Sequence, residues 1–145
     1  MVIYLDTSAL IKLYIKENGS EQVNNIIIKQ NDPLPLWDLH IVELTNALKL
    51  KVFRKEIKLS KVKYLISLFN DRKNQGIYYT PCLDRIKHTQ LALKYSDYTI
   101  KFGNRSLDIL HVAAAKLFST ELFVTFDTRQ EKLAKKVGLK TVLPF

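Results

Sequence analysis

The order of apolar and polar residues along the chain predicts strands that alternate with helices. Residues 1–5 form a short apolar run without polar alternation, which is typical of a strand buried on both faces in a parallel sheet. Residues 121–126 have the same character, and residues 34–37, 77–80 and 139–143 are shorter candidate strands. This alternation predicts an α/β fold in three layers, with a mainly parallel central β-sheet flanked by helices on both faces.

Apolar residues at helical spacing predict the elements between the strands. Thr7 and Ser8 offer capping chemistry for a first helix, and Ser20 for a second helix that extends to about residue 30. Further helices are expected over residues 38–54, 60–76, 83–98, from Ser106 onwards, and over residues 128–137. Residues 96–105, which contain a Gly-Asn pair, are expected to form a loop.

Length and composition predict one globular domain over residues 1–145, with 47% apolar and 26% charged residues. The longest apolar run, residues 1–5, is far shorter than the roughly 20 residues that a membrane span requires. The single cysteine, Cys82, cannot form an internal disulfide and is expected to pack beside Pro81. We therefore expect a cytoplasmic protein without a membrane partner.

The chain carries a formal net charge of +9, from 23 basic and 14 acidic residues. Such an excess favours polyanionic partners, with nucleic acid ahead of a membrane surface. Because many basic proteins never bind nucleic acid, the positions of the acidic residues carry more information than the net charge.

Four acidic residues are expected at one edge of the sheet. Asp6 directly follows the first strand, and Asp127 directly follows the strand over residues 121–126. Parallel strands joined by right-handed crossovers place both residues at the same carboxyl edge, where ligands bind in open α/β sheets. Asp108 lies in the first turn of its helix, where the helix dipole favours an anion, and Glu43 lies near the start of the helix after the second strand.

The mutual repulsion of four converging carboxylates must be offset by another group or by protonation. Two carboxylates about 4 Å apart repel each other by roughly 4 kcal/mol at an effective dielectric constant of about 20. Protonation or a divalent cation can relieve this repulsion, and all-carboxylate ligands suit Mg²⁺ or Mn²⁺ rather than zinc. Because Mg²⁺ held in this way also binds substrate phosphate, the implied chemistry is phosphodiester hydrolysis.

Each of the four acids also has a purely structural interpretation. Asp6 and Asp127 are suitable helix N-caps, Asp108 can stabilise a helix dipole, and Glu43 can be a solvated helix position. Thr125 is either an ordinary strand residue or a hydroxyl that orients an acid. The predicted common edge is what favours a functional interpretation of the set.

The sequence also predicts the positions and contacts of the three histidines and of two arginines near the acids. His40 and His88 are expected at the surface or on a helix flank. His111, one turn after the acid of its helix and on an apolar face, is expected to be a hydrogen-bonded core histidine. Arg105 and Arg129 could contact phosphate or pair with the neighbouring carboxylates, and pairing is the favoured interpretation.

The motifs that carry these residues are LDTSAL at 5–10, EL at 43–44 followed by AL at 47–48, RSLDILHVAAA at 105–115 and VTFD at 124–127. Together they resemble the PIN-domain family, and most closely the VapC toxins of type II toxin–antitoxin systems. The resemblance extends over essentially the whole chain.

This resemblance implies a PIN-like fold and an endoribonuclease that depends on Mg²⁺ or Mn²⁺. It places Asp6, Glu43, Asp108 and Asp127 at the four acidic positions of the family. Asp6 and Asp108 are then the first candidates for direct metal ligands, Asp127 is the next, and Glu43 acts directly or through water. Because such proteins usually dimerise and are inhibited by a cognate VapB antitoxin, the expected partners are RNA, that antitoxin and a second copy of the chain.

Two other functions are alternatives to a nuclease. The first is a PIN-like RNA-binding or scaffold module without catalytic turnover, against which the complete set of acids argues. The second is an aspartate phosphotransfer protein. A dehalogenase-type site requires a second acid two residues after the first, where this chain has Ser8, and a receiver domain requires adjacent acids, where Thr7 follows Asp6.

Overall fold

The computed structural model describes residues 1–144 and contains strands and helices in alternation. Phe145, the last residue of the predicted domain, lies outside the described residues. The strands are β1 (Ile3–Leu5), β2 (Leu34–Pro35), β3 (Tyr78–Tyr79), β4 (Leu122–Val124) and β5 (Thr141–Val142). The α-helices are α1 (Thr7–Leu10), α2 (Ser20–Ile28), α3 (Asp38–Phe53), α4 (Leu59–Asn74), α5 (Arg85–Tyr95), α6 (Thr99–Phe102), α7 (Ser106–Leu117) and α8 (Thr128–Lys136). Short 3₁₀ helices cover Ile11–Leu13 and Ser96–Tyr98.

The strand pairs are all parallel. β4 lies between β1 and β5, with Leu5 opposite Val124 and Val124 opposite Val142. β2 and β3 form a second parallel pair alongside β1. The prediction of an α/β fold with a mainly parallel sheet is therefore confirmed.

Two hydrophobic cores lie on the two faces of this sheet. Ile3 and Leu5 of β1 pack into one core with residues of α1 to α4, whereas Tyr4 packs into the other core with residues of α5, α7 and α8. This division follows from the geometry of a strand, whose successive side chains point to opposite faces. Because β1 is covered on both sides, helices fix the chain on either side of its carboxyl end.

The packing of α7 fixes the position of its first turn. Four consecutive residues of this helix, Val112 to Ala115, are fully buried, and three of them are alanines. Small side chains allow a helix to approach a sheet closely, and close packing restricts its movement. The N-terminal turn of α7 is thereby held near the edge at which β1 and β4 end.

Three details differ from the sequence prediction. The expected loop over residues 96–105 is mostly helical. Its helix α6 ends at Gly103, whose φ of +64° suits glycine. Ser20 and Ser106 are the first residues of their helices rather than the caps, which are Gly19 and Arg105. Cys82 is exposed instead of packed.

No helix within residues 1–144 combines the length and apolar character needed to cross a lipid bilayer.

Candidate functional site

Asp6 lies where β1 ends and α1 begins. Its Oδ1 caps α1 by accepting a hydrogen bond from the amide of Ala9 at 2.9 Å. The hydroxyl of Ser8 donates to the same oxygen at 2.6 Å, and the hydroxyl of Thr125 donates to Oδ2 at 2.6 Å. Burial nevertheless raises the pKa of Asp6, so a nearby cation would stabilise its charged form.

Thr125 connects Asp6 to Asp127 across the ends of β1 and β4. Thr125 is fully buried, and its Oγ1 accepts a hydrogen bond from the amide of Asp127 at 3.0 Å. Asp127 caps α8 through Oδ1, which accepts from the amides of Arg129 at 2.8 Å and Gln130 at 3.1 Å. The sequence left open whether Thr125 is an ordinary strand residue or orients an acid. Its hydrogen bond to Asp6 shows that it orients that carboxylate.

Asp108 lies in the first turn of α7 and is almost completely buried. Its Oδ2 accepts hydrogen bonds from the amide of Arg105 at 3.1 Å and from Nε of the same residue at 3.3 Å. The guanidinium of Arg105 also bonds to Oδ2 of Asp127 at 3.1 Å. One cation therefore bridges two of the predicted acids, and the interpretation of Arg105 as their pairing partner is confirmed.

Glu43 projects from α3 and is held through one oxygen. Its Oε1 accepts a hydrogen bond from the hydroxyl of Thr7 at 2.7 Å and contacts Nε2 of His111. Burial alone would raise the pKa of Glu43, but the hydrogen bonds from His111 and Thr7 and the charge of Arg105 together lower it. Glu43 is therefore held as a carboxylate.

His111 ends a buried chain of hydrogen bonds that begins at Trp37. The indole N–H of Trp37 donates to the hydroxyl oxygen of Tyr4 at 2.7 Å, and that oxygen lies 2.6 Å from Nδ1 of His111. Since the tyrosine accepts from the indole, its own hydrogen can donate to Nδ1, which favours the tautomer of His111 with hydrogen on Nε2. His111 is therefore a hydrogen-bonded core histidine, as predicted, and it also orients Glu43.

His40 and His88 are buried, so the expectation of surface or flanking positions is wrong. Nε2 of His40 bonds to the carbonyl of Leu5 at 2.7 Å, and Nδ1 accepts from the amide of Trp37 at 3.2 Å. Nε2 of His88 bonds to the carbonyl of Leu110 at 2.9 Å. Both rings satisfy main-chain groups, and burial lowers the pKa of His40 to about 3.

The structure brings the four predicted acids to the carboxyl edge of β1 and β4. Asp6 and Asp127 share a threonine hydroxyl, and Asp127 and Asp108 share a guanidinium. Glu43 bonds to the residue that follows Asp6 and to a histidine one turn after Asp108. Four acids from distant parts of the sequence thus lie at one edge, and the carboxylates of Asp108 and Asp127 are joined directly through Arg105.

The chemistry of this donor set fits a hard divalent cation. Carboxylate oxygens are the protein ligands that Mg²⁺ and Mn²⁺ prefer, and the guanidinium of Arg105 already places positive charge between Asp108 and Asp127. Within residues 1–144, no three His, Cys, Asp or Glu side chains are arranged to hold an ion together. A cation bound by both aspartates would therefore replace Arg105.

Sequence reasoning missed the supporting contacts of Tyr4, Trp37 and Gln130. Gln130 is buried, lies 3.0 Å from the hydroxyl of Thr125, and donates to the carbonyl of Asp108 at 3.4 Å. Tyr4 could have been identified, because a tyrosine in a strand buried on both faces needs a partner for its hydroxyl. Neither Trp37 nor Gln130 has a comparable signal in its local pattern.

The chain is similar to known proteins over nearly its whole length. The sequence model of the PIN domain matches residues 3–136. Ribonuclease VapC46 of Mycobacterium tuberculosis is 24% identical over 144 residues, which cover 98% of this chain and 97% of that protein. The crystal structure of FitAcB from Neisseria gonorrhoeae aligns with a TM-score of 0.65 at 17% identity, over 99% of this chain and 98% of the other, so the two share a fold.

Proposed function

The chain belongs to the PIN-domain family, and from this premise we propose that it is a metal-dependent endoribonuclease of the VapC toxin type. Residues 1–145 would form a single nuclease domain that hydrolyses RNA phosphodiester bonds in the cytoplasm. The catalytic set is Asp6, Glu43, Asp108 and Asp127, and the cofactor is Mg²⁺ or Mn²⁺.

The observation that carries this proposal is the convergence of four acidic residues at one edge of the sheet, with one cation between two of them. Such a group is costly to assemble, because like charges repel strongly in a partly buried site. A site that binds substrate phosphate through a divalent cation gives this arrangement a purpose. The family relationship and the name of the Mycobacterium relative support ribonuclease chemistry in particular.

The protein groups have distinct tasks in the proposed reaction. When bound, the metal ion supplies activation of water and stabilisation of charge on the phosphate. Asp6, Asp108 and Asp127 would hold it after Arg105 leaves the two carboxylates that it joins in this structure, and the hydroxyls of Ser8 and Thr125 keep Asp6 oriented for that role.

Glu43 would receive the proton of the attacking water. Its hydrogen bonds from Thr7 and His111 both end on Oε1, so Oε2 is left to accept a bond from the water. In-line attack then forms a bond from the water oxygen to phosphorus and breaks the bond from phosphorus to the 3′ oxygen. The departing 3′ oxygen takes up a proton from solvent, so the products carry a 5′-phosphate and a 3′-hydroxyl.

RNA digestion with analysis of the product ends tests the reaction. We expect cleavage with Mg²⁺ or Mn²⁺, its loss with a chelator, and 5′-phosphate ends. Asp108→Asn should reduce the rate by at least about a hundredfold, comparable to the loss of a group that stabilises transition-state charge. Asp97→Asn removes the same charge at an exposed position of the chain and should cleave like the wild type.

A folded wild type that binds RNA but releases no product with either metal would favour the binding or scaffold module instead. Cleavage that survives in purified Asp108→Asn would contradict the assignment of the site. Circular dichroism of both variants separates these outcomes from unfolding.

We also propose a homodimer and a cognate VapB-type antitoxin as partners, by analogy with the VapC group. Exposed apolar side chains on α5, α6 and α7 support burial against a second copy: Ile86, Leu93, Ile100 and Leu107. Light scattering during gel filtration tests the dimer, and a monomer mass at high concentration would exclude it. Inhibition of cleavage by the product of an adjacent small gene tests the antitoxin.

A further inference from the structure

A basic cavity adjoins the acidic site on the side of Ser8. Its volume is about 270 Å³, and its polar lining consists of Ser8, Lys12, Glu17, Lys51 and Arg54. Three of these side chains are cationic and one is anionic, so the lining carries a net positive charge. Neither this cavity nor its cations are used by the four acids described above.

Two lysines in the cavity hold one carboxylate between them. Nζ of Lys12 lies 3.0 Å from Oε1 of Glu17, and Nζ of Lys51 lies 3.5 Å from Oε2. The lysine side chains are only 15% and 18% exposed, respectively, which is unusual for this residue type. The cavity is therefore a preformed anion site, and the anion in it is the chain's own Glu17.

Arg54 adds a cation that remains available. It is exposed at the rim of the cavity, and it makes no ion pair within the described residues 1–144. An arginine in this state can bind a phosphate group with two parallel hydrogen bonds at little cost.

The cavity is joined directly to the acidic site. The hydroxyl of Ser8 donates to Asp6 at 2.6 Å and accepts from the amide of Phe126 at 3.0 Å. The ring of Phe126 also lines the cavity, and Nζ of Lys12 lies 4.8 Å from the centre of that ring. A polymer bound at Asp6 can therefore continue into this cavity.

We propose that this cavity binds a backbone phosphate of the RNA strand next to the phosphodiester that is cleaved. Lys12, Lys51 and Arg54 neutralise that phosphate, and Glu17 occupies the anion position until RNA displaces it. The inference rests on the proposed ribonuclease function and adds the path of the strand on one side of the site.

Binding of a fluorescein-labelled single-stranded RNA of mixed sequence tests the proposal, measured by anisotropy in EDTA so that cleavage does not interfere. The double variant Lys12→Gln/Lys51→Gln and the single variant Arg54→Gln should each bind several-fold more weakly than the wild type. The logarithm of the association constant falls as the logarithm of the salt concentration rises. The magnitude of this negative slope should decrease by about 0.7 for each lost phosphate contact with a single strand. Lys87→Gln/Lys94→Gln, on the exposed part of α5, makes the same charge change and should alter binding much less.

Glu17→Gln provides the opposite test. Removing the internal carboxylate frees Lys12 and leaves Lys51 paired only with Glu56, so RNA should bind more tightly than to the wild type. Asp97→Asn raises the net charge by the same amount at an exposed site and should have a smaller effect. A purely structural role of the ion pairs predicts instead that Glu17→Gln and the lysine variants lose affinity together.

The possible failures are distinguishable. If the wild type cleaves RNA but Arg54→Gln binds like the wild type and Glu17→Gln binds like Asp97→Asn, the cavity is not a phosphate site and the ribonuclease function stands. If the wild type neither binds nor cleaves RNA, both proposals are wrong. Arg54→Gln keeps the test decisive if the double lysine variant fails to fold, because Arg54 makes no ion pair in residues 1–144 that folding could depend on.

Discussion

Arg105 lies between Asp108 and Asp127, two of the acids that we propose as metal ligands. Its guanidinium bonds to both carboxylates, yet its side chain is 65% exposed. Solvent screens the arginine end of both ion pairs, and holding this exposed side chain in one position costs conformational freedom, which weakens the pairs. A divalent cation can therefore displace Arg105, which then becomes available to a phosphate oxygen.

Arg105→Ala should increase the affinity for Mn²⁺ by about fivefold, the lower end of the usual coupling between two linked binding events. The reason is that the metal no longer competes with an internal cation. Isothermal titration of Mn²⁺ into the metal-free protein measures this directly, without reference to cleavage.

Arg129→Ala is the matched control, because Arg129 is exposed and contributes only its backbone amide to Asp127. Equal Mn²⁺ affinities of Arg105→Ala and the wild type would show that the arginine does not compete for the acids.

Tyr4→Phe should weaken catalysis through its effect on His111 and Glu43. The variant leaves Nδ1 of His111 and the indole N–H of Trp37 without their buried partner, at a stability cost of about 1–3 kcal/mol. We expect kcat to fall while KM changes little, since Glu43 is assigned to proton transfer rather than to RNA binding.

Tyr14→Phe separates positioning from stability. The hydroxyl of Tyr14 makes a comparable buried bond to the hydroxyl of Tyr78 at 2.6 Å, in the other hydrophobic core. This variant should lose similar stability in urea unfolding but keep the wild-type kcat. Equal loss of kcat in both variants would mean that Tyr4 acts only through stability.

Local sequence patterns predicted which acidic residues would lie near the start of a helix. They did not predict which polar residues would be buried. His40 and His88 each lie in helices with mixed faces, so spacing alone cannot tell which face packs. Their burial depends on main-chain carbonyls at Leu5 and Leu110, which are distant in sequence. Such partners become visible only when the fold is known.

At the scale of elements, the start of α2 depends on Gly19 and the ring of Phe126. Gly19 caps α2 with a φ of +95°, and an added Cβ would lie 2.5 Å from Cε1 of Phe126. Phe126 belongs to the segment between β4 and α8 that also carries Thr125 and Asp127. The α2 start and the acidic edge therefore touch through one aromatic ring.

Gly19→Ala should destabilise the protein more than Gly103→Ala. Both residues have positive φ, for which a side chain costs about 1–2 kcal/mol, but an added Cβ at Gly103 meets no atom within 4 Å. The extra cost at Gly19 comes from displacement of Phe126. Urea unfolding of the two variants measures it, and equal losses would mean that the ring moves away freely.

The order and type of the elements could be predicted because each is encoded locally, by apolar runs for strands and by helical spacing for helices. The segment over residues 96–105 was missed because its two helical pieces, Ser96–Tyr98 and Thr99–Phe102, are each too short to show a helical spacing of apolar residues. Its Gly103-Asn104 pair does end a helix, but one that the pattern did not indicate.

At the scale of the whole molecule, topology explains why four acids distant in sequence could be placed at one edge. Parallel strands impose a common carboxyl edge, so Asp6, directly after β1, and Asp127, three residues after the end of β4, lie at the same edge. The bridging groups could not be predicted in this way, because Arg105 and Thr125 reach the acids through side-chain geometry that no periodicity determines.

We expect the stability of the whole molecule against acid to depend on His40, whose ring joins β1 to α3 through its bond to the carbonyl of Leu5. Burial lowers the pKa of His40 from 6.5 to about 3. Between these values the unfolded chain binds a proton that the folded chain does not, so ΔG of unfolding falls as the pH is lowered. The slope from this group is at most ~1.4 kcal/mol per pH unit.

Asp6 and Glu43 also contribute to the dependence of ΔG of unfolding on pH, and their contributions have opposite signs. The raised pKa of Asp6 makes the folded state bind protons more readily than the unfolded chain, which favours folding as the pH falls. The lowered pKa of Glu43 acts in the same direction as His40, but only below its ordinary value of 4.5. A comparison with a His40 variant is therefore needed to isolate the histidine.

His40→Gln isolates it, because glutamine can bond to the same main-chain groups but cannot gain a charge. We expect a lower ΔG of unfolding at neutral pH and a shallower decline between pH 6.5 and about 3 than in the wild type. Urea unfolding followed by circular dichroism at a series of pH values gives both curves. If the two curves run parallel through this interval, His40 is not the group that sets the acid sensitivity, and its buried bonds to Leu5 and Trp37 contribute to stability without linkage to protons.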